Sequence, residues 1–213
     1  LGDGTTTDRL TPVDVVVSTL TKSYYSAGSQ DGWVLESGET SSKGGTLNST
    51  AATFNVGDDA ADKQYRAILS FNTGALPDTA VITKVTLRIK RPATGFLVGN
   101  NNPFTWGLGL KADVCKNFFG TTSALQLVDF NYNNVTNCKL LAGTFGNTPT
   151  AYWYSANIVN TAFAKVNKTG LTQFRLRFAK DDNDDGLADY MKFYSGNAPA
   201  AYRPRLIIQY YVP

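Results

Sequence analysis

Gln173-Phe174-Arg175-Leu176-Arg177-Phe178 alternates polar and apolar side chains, and it is followed by Asp181-Asp182-Asn183-Asp184-Asp185-Gly186. Tyr190-Met191-Lys192-Phe193-Tyr194 then alternates again, and Arg205-Leu206-Ile207-Ile208-Gln209-Tyr210-Tyr211 reads as a more buried strand. A period of two places one set of side chains on each face of an extended chain, so this C-terminal quarter is strand, acidic loop, strand, turn, strand. Working outward, the same signature recurs near Val13–Leu20, Gly32–Glu36, Ala52–Val56, Tyr65–Phe71, Val81–Lys90, Trp106–Val114, Ala142–Phe145 and Tyr152–Asn157. Val81–Lys90 is the cleanest: Val81, Val85, Leu87 and Ile89 share one face, and a phase break at Ile82–Lys84 predicts a bulge. Two short helices are expected, Ser123–Phe130 and Asn160–Val166. With no strand–helix–strand rhythm, the expected fold class is all-β, an antiparallel two-sheet sandwich of jelly-roll type carrying one or two short helices.

Composition agrees. The chain has 213 residues, 42% of them hydrophobic and 12% aromatic, enough for one domain with a sizeable core. Thr, Asn, Gly and Tyr are abundant, whereas Glu36 and Glu39 are the only glutamates, a balance that favours strands over helices. Net charge is +3, and the 20 basic residues are scattered, several singly on strands (Arg66, Arg88, Arg175, Arg177, Arg205). That distribution reads as solvated strand faces and gives no basic patch for nucleic acid. No apolar run is long enough to span a membrane. The chain starts at Leu1 without a methionine or a signal-like segment, the expectation for a processed, exported protein.

Cys115 and Cys138 are the only cysteines. In an oxidising compartment they would pair, closing a loop worth about 3.5 kcal/mol in chain entropy; in a reducing one they are two buried thiols. Without histidine or a CxxC they build no zinc site.

The acidic loop fits Asp-x-Asn-x-Asp-Gly at Asp181, Asn183, Asp185 and Gly186, with Asp189 at a ninth position. Alternate oxygens can turn inward around a cation while the glycine allows the tight turn, so a structural calcium ion is expected here. Lys192 stands where an EF-hand needs glutamate, and strands flank the loop, so this is not an EF-hand. A second acidic group, with Asp58 and Asp59 in Gly57-Asp58-Asp59-Ala60-Ala61-Asp62, either joins that site or forms an exposed turn ended by Lys63.

Catalysis is disfavoured by what the chain lacks. Without histidine there is no usual base near neutral pH and no Ser-His pair. Glu36 and Glu39 lie too close in sequence to face each other across a glycosidase cleft. Aromatic side chains offer a different chemistry, stacking on the apolar faces of sugar rings. Trp106, Trp33 and Tyr152 are the candidates, and in Tyr152-Trp153-Tyr154 alternation sets Trp153 on the face opposite the two tyrosines. Sequons stand at Asn48, Asn134 and Asn167.

Residues 1–12 are polar and rich in Gly and Thr, an arm without periodicity ahead of a single domain spanning 13–213. Val13, Val15, Val17 and Leu20 follow it. This stretch could add itself to the sheet edge of a neighbouring subunit, giving a homo-oligomer or open polymer, or it could be the first strand of its own domain.

The residues also carry a family likeness. Ser29-Gln30-Asp31-Gly32-Trp33, Tyr65–Phe71, Leu76-Pro77-Asp78-Thr79-Ala80 with the strand after it, Phe174–Phe178 and Arg203-Pro204-Arg205-Leu206-Ile207-Ile208 together resemble the DNRLRE-type domain. The segments Gly95–Gly107 and Cys115–Cys138 depart from that pattern. The resemblance implies a bacterial secreted or surface β-sandwich without catalytic residues, with calcium often part of its scaffold and, in some members, binding of acidic polysaccharides. Two functional expectations follow: from the N-terminal arm and the composition, a self-assembling subunit of an extracellular filament or surface layer; from the resemblance and the aromatic residues, a calcium-stabilised carbohydrate-binding module.

Overall fold

The computed structural model describes residues 18–213. Val13, Val15, Val17 and the arm before them lie outside the described residues.

The strands are β1 (Leu20–Tyr25), β2 (Gly32–Glu36), β3 (Gly44–Asn48), β4 (Thr53–Asp58), β5 (Gln64–Asn72), β6 (Val81–Lys90), β7 (Leu97–Val98), β8 (Leu110–Lys116), β9 (Cys138–Phe145), β10 (Trp153–Ile158), β11 (Leu171–Phe178), β12 (Asp189–Tyr194) and β13 (Arg205–Tyr211). All pair antiparallel, in the order β1-β13-β6-β10-β9-β8-β11-β5-β4-β12-β7, with β2 joining β5 and β3 joining β2. The sheet curls so that distant strands meet. Tyr154 of β10 sets its ring edge-on to Phe193 of β12, with centroids 5.3 Å apart.

Alternation identifies the core face. Val85, Leu87 and Ile89 of β6, Phe174, Leu176 and Phe178 of β11, and Leu206 and Ile208 of β13 are fully buried in one cluster with Phe54, Val56, Met191 and Phe193. Each such side chain contributes about 1.5–3 kcal/mol of apolar burial. The expected bulge is present: Gln209 pairs with Lys84 and Tyr210 with Ile82, leaving Thr83 over. Because of it Ile82 packs against the core, while Val81, expected inside, faces out.

Three expectations change. Trp106 does not begin a strand; it ends a helical turn, α1 (Pro103–Trp106), whose start is capped by the Asn102 side chain accepting from the Phe104 N–H (3.0 Å). Asn at the cap followed by Pro in the first turn starts a helix, and the strand resumes only at Leu110. Of the helix expected over Ser123–Phe130 only a 3₁₀ turn at Leu127–Phe130 forms. Asn160–Lys165 is likewise 3₁₀. The first described strand starts at Leu20, where the expected one ended.

The largest correction concerns Arg175, expected on a solvated face. It is 2% exposed. Segment 117–137 folds over the outer side of β5, β11 and β8, making a second small core of Val34, Ile68, Phe119, Leu125 and Phe130 beside the cysteines. Beneath it, Arg175 Nε and Nη2 donate to Asp113 Oδ2 (3.0 and 2.9 Å), and Nη1 donates to the carbonyls of Asp129 (3.0 Å), Phe130 (3.2 Å) and Tyr132 (2.9 Å). Cys115 and Cys138 face each other across the β8–β9 ladder and form a disulfide that anchors both ends of the cover. Among the described residues no helix is long and apolar enough to cross a membrane.

Candidate functional site

Two places on the fold hold concentrated chemistry. The first is the junction of the acidic loop with the end of β4. Asp58 is the last residue of β4 and Asp189 the first of β12, and the ladder sets them directly opposite one another. Both are fully buried. Asp189 is surrounded by donors: the Asn101 N–H reaches Oδ1 (2.9 Å), and Nδ2 of Asn101 (2.9 Å) and of Asn183 (3.0 Å) reach Oδ2. Burial alone would raise the Asp189 carboxyl, but these hydrogen bonds hold it below the usual range. Asp58 has no such support. Neither of its oxygens receives a hydrogen bond, and burial, with Asp189, Asp182 and Asp62 nearby, pushes it up to about 8.

Backbone geometry makes this approach possible. Gly57 (φ 126°) and Gly99 (φ 87°) both adopt a left-handed conformation. A Cβ on Gly57 would collide with the Asp189 carbonyl, and one on Gly99 with the Ala188 carbonyl and Asp189 Oδ1. Around the pair, Asp185 Oδ2 accepts from Asn101 and Asn183 (both 3.0 Å), and Asp62 Oδ1 accepts from the Gly186 N–H (3.1 Å). The Asn183 side-chain oxygen is buried without a donor. Asp182 is buried, and its carboxyl is raised to about 6 by that burial and by Asp181 and Asp184.

The loop's expected members are thus divided. Asp189, Asn183 and Asp185 come together with Asp58, whereas Asp181 stays exposed. Asp59 is occupied within its own hairpin, accepting from the Ala61 N–H (2.9 Å) and Lys63 N–H (3.1 Å) and pairing with Lys63 Nζ (3.1 Å). Asn101 was not foreseen; its Asn-rich stretch reads as a loop, and nothing in spacing links it to Asp189.

The second place is the outer face of β10, β6 and β13. Of the expected sugar platforms, Trp33 packs edge-on to Tyr65 (5.1 Å) and Trp106 lies on Phe178 (6.2 Å), both half-buried against the core. Tyr152 alone is presented, 43% exposed and 4.7 Å from the Arg91 guanidinium. Beside it stands Trp153, on the face opposite Tyr154 as alternation expects, with Tyr154 the buried one of the two. Arg88 and Arg205 lie 5.0 and 4.9 Å from its ring and Lys90 5.6 Å, while Lys90 also lies over Tyr202 (4.3 Å), itself stacked on Tyr194 (4.8 Å). A shallow cleft of about 120 Å³ between Lys90, Arg91, Tyr152, Tyr194 and Tyr202 continues the patch. Cations and flat rings, with no ion pair to a carboxylate among the described residues, suit an anionic ligand with an apolar face.

Among the sequons, Asn167 is 3% exposed and donates from Nδ2 to Asn117 Oδ1 (2.6 Å), which closes it to modification in the folded chain. No protein-family model matches this chain, and no curated protein matches it.

Proposed function

We propose that this chain is a non-catalytic, extracellular structural subunit, folded as a jelly-roll sandwich, that builds a filament or surface layer by lodging its N-terminal segment against the sheet of the next copy. The observation that carries the reading is β1. It is the end strand of the sheet order, hydrogen-bonded only to β13 among the described residues, and it directly follows the segment with Val13, Val15 and Val17. Leu20 and Tyr25 at its two ends are about half exposed. An edge with unpaired backbone groups is a template for a further strand. A head-to-tail contact of that kind does not close on itself, so it propagates. The disulfide and the cover segment support a body made to persist outside the cell, and the DNRLRE-type resemblance points the same way. Sedimentation of the full chain against one lacking residues 1–12 tests the reading. Large assemblies should form only with the arm present, and equal behaviour of the two would reject it.

A second reading is favoured by one observation, the cluster of Arg88, Arg205 and Lys90 around Trp153. It supports binding of an acidic polysaccharide, with the ring stacking on a sugar face and the cations meeting uronate carboxylates. The two readings are compatible, since the patch lies on a face of the sheet and assembly uses its edge.

A further inference from the structure

We infer that the junction where β4, β12 and the 99–101 loop meet is a calcium site, with Asp58 and Asp189 as its central ligands and the Asn183 side-chain oxygen beside them. The inference goes beyond the assembly reading and does not depend on it. Its basis is an imbalance. Two buried carboxylates face each other across a ladder, where like charges repel. One of them, Asp58, has both oxygens buried and no hydrogen bond to either. Buried polar atoms are almost always satisfied, and an unpaired buried carboxylate is among the costliest arrangements a fold can hold. The Asn183 Oδ1 atom is a further buried oxygen with no donor, although the amide nitrogen beside it donates to Asp185 and Asp189. A cation accepted by these oxygens satisfies all of them together.

The donor set selects the ion. It consists of oxygens alone, which a hard cation prefers. The ligands come from separate strand ends and loops, a flexible arrangement that suits the larger Ca²⁺ better than octahedral Mg²⁺. Among the described residues no three His, Cys, Asp or Glu side chains form a metal cluster by themselves. The shell therefore combines two carboxylates and an amide oxygen with backbone carbonyls, water or the buried Asp182. This ligand set differs from the linear Asp-x-Asn-x-Asp loop, because Asp181 falls outside it and Asp58, from a distant strand, stands at its centre.

The test uses the full chain stripped with a chelator and then titrated with CaCl₂ by calorimetry, with melting temperature followed in parallel. Saturable binding and a higher melting temperature are expected, with MgCl₂ weaker. Asp58→Asn should weaken calcium binding by about a hundredfold, the scale on which a lost partner of a buried charge pair is felt. Without calcium, the same variant should melt at or above the parent, because the facing carboxylates no longer repel. Asp59→Asn should bind as the parent does. The inference is overturned if the parent shows neither binding heat nor a melting shift at millimolar calcium, or if Asp58→Asn keeps the full response. The parent titration decides the matter alone should Asp58→Asn not fold.

Discussion

Asp58 and Asp189 stand directly opposite on the β4–β12 ladder, both fully buried, and hydrogen-bond donors converge on only one of them. The asymmetry is the strongest chemical feature of the molecule, because the sheet brings together two carboxyl groups that the chain keeps far apart.

One consequence is thermal. If calcium binds only the folded chain, then at a hundred times its dissociation constant it adds about 2.7 kcal/mol. For a domain of this size that is a rise of roughly 5–10 °C in Tm. Differential scanning calorimetry with calcium and with excess chelator should show this difference.

Removing one partner of the covered ion pair should cost far more than a surface change. Arg175→Met leaves Asp113 buried with only the longer contact to Arg177 Nε (3.5 Å) and strips the Asp129 and Tyr132 carbonyls of their donor, so a loss of about 3–5 kcal/mol is expected in urea unfolding. The double variant with Asp113→Leu should recover a good part of that loss. A single variant within about 1 kcal/mol of the parent, the ordinary range of surface ion pairs, would contradict this assignment.

Asp31 sets a pH dependence. It is fully buried, accepts from the Ser70 N–H (2.7 Å) and the Gly196 N–H (2.9 Å), and is raised by burial to about 7. A folded-state pKa above the unfolded value means that the folded chain holds the proton more tightly. Stability from this group is therefore complete below pH about 4 and is lost as pH rises towards 7. Asp129, raised by burial to about 6, acts in the same direction. Melting curves under saturating calcium should fall by a few kcal/mol across this window. Asp31→Asn should flatten much of the slope while lowering the acid-side maximum by about 1–3 kcal/mol, the cost of an unsatisfied Gly196 N–H.

Trp153→Ala tests the sheet-face patch. Affinity electrophoresis in a polyuronate gel should show binding weakened on the order of tenfold, the scale of a lost aromatic contact. Arg88→Gln should weaken it and reduce its salt dependence. A parent chain that migrates alike in uronate and neutral gels would remove the polysaccharide reading.

Much of this architecture was legible from side-chain period. Alternation identified β6, β11, β12 and β13, with Val85, Leu87 and Ile89 of β6 inward, and the phase break at Ile82–Lys84 marked a real bulge that turned Val81 outward. It could not reveal that segment 117–137 covers the outer side of β11, because an irregular segment carries no period, and so Arg175 read as solvated. The Asp-rich loop announced itself through composition. Its partner Asp58 was named as a candidate, but the pairing with Asp189 depends on strand order, which period does not encode. Asn101 had no signal at all. Trp106 misled because an Asn-Pro helix start interrupts an apolar run, and Tyr152 escaped its strand through a positive φ of 69°.

As a filament subunit the chain depends on its N-terminal segment acting on a neighbouring copy. The most direct measurement follows growth of the full chain by light scattering and electron microscopy, with and without a synthetic peptide of residues 1–19. The peptide should bind a chain lacking those residues and stop elongation of the intact one. Growth that ignores both the peptide and deletion of the segment would contradict the claim.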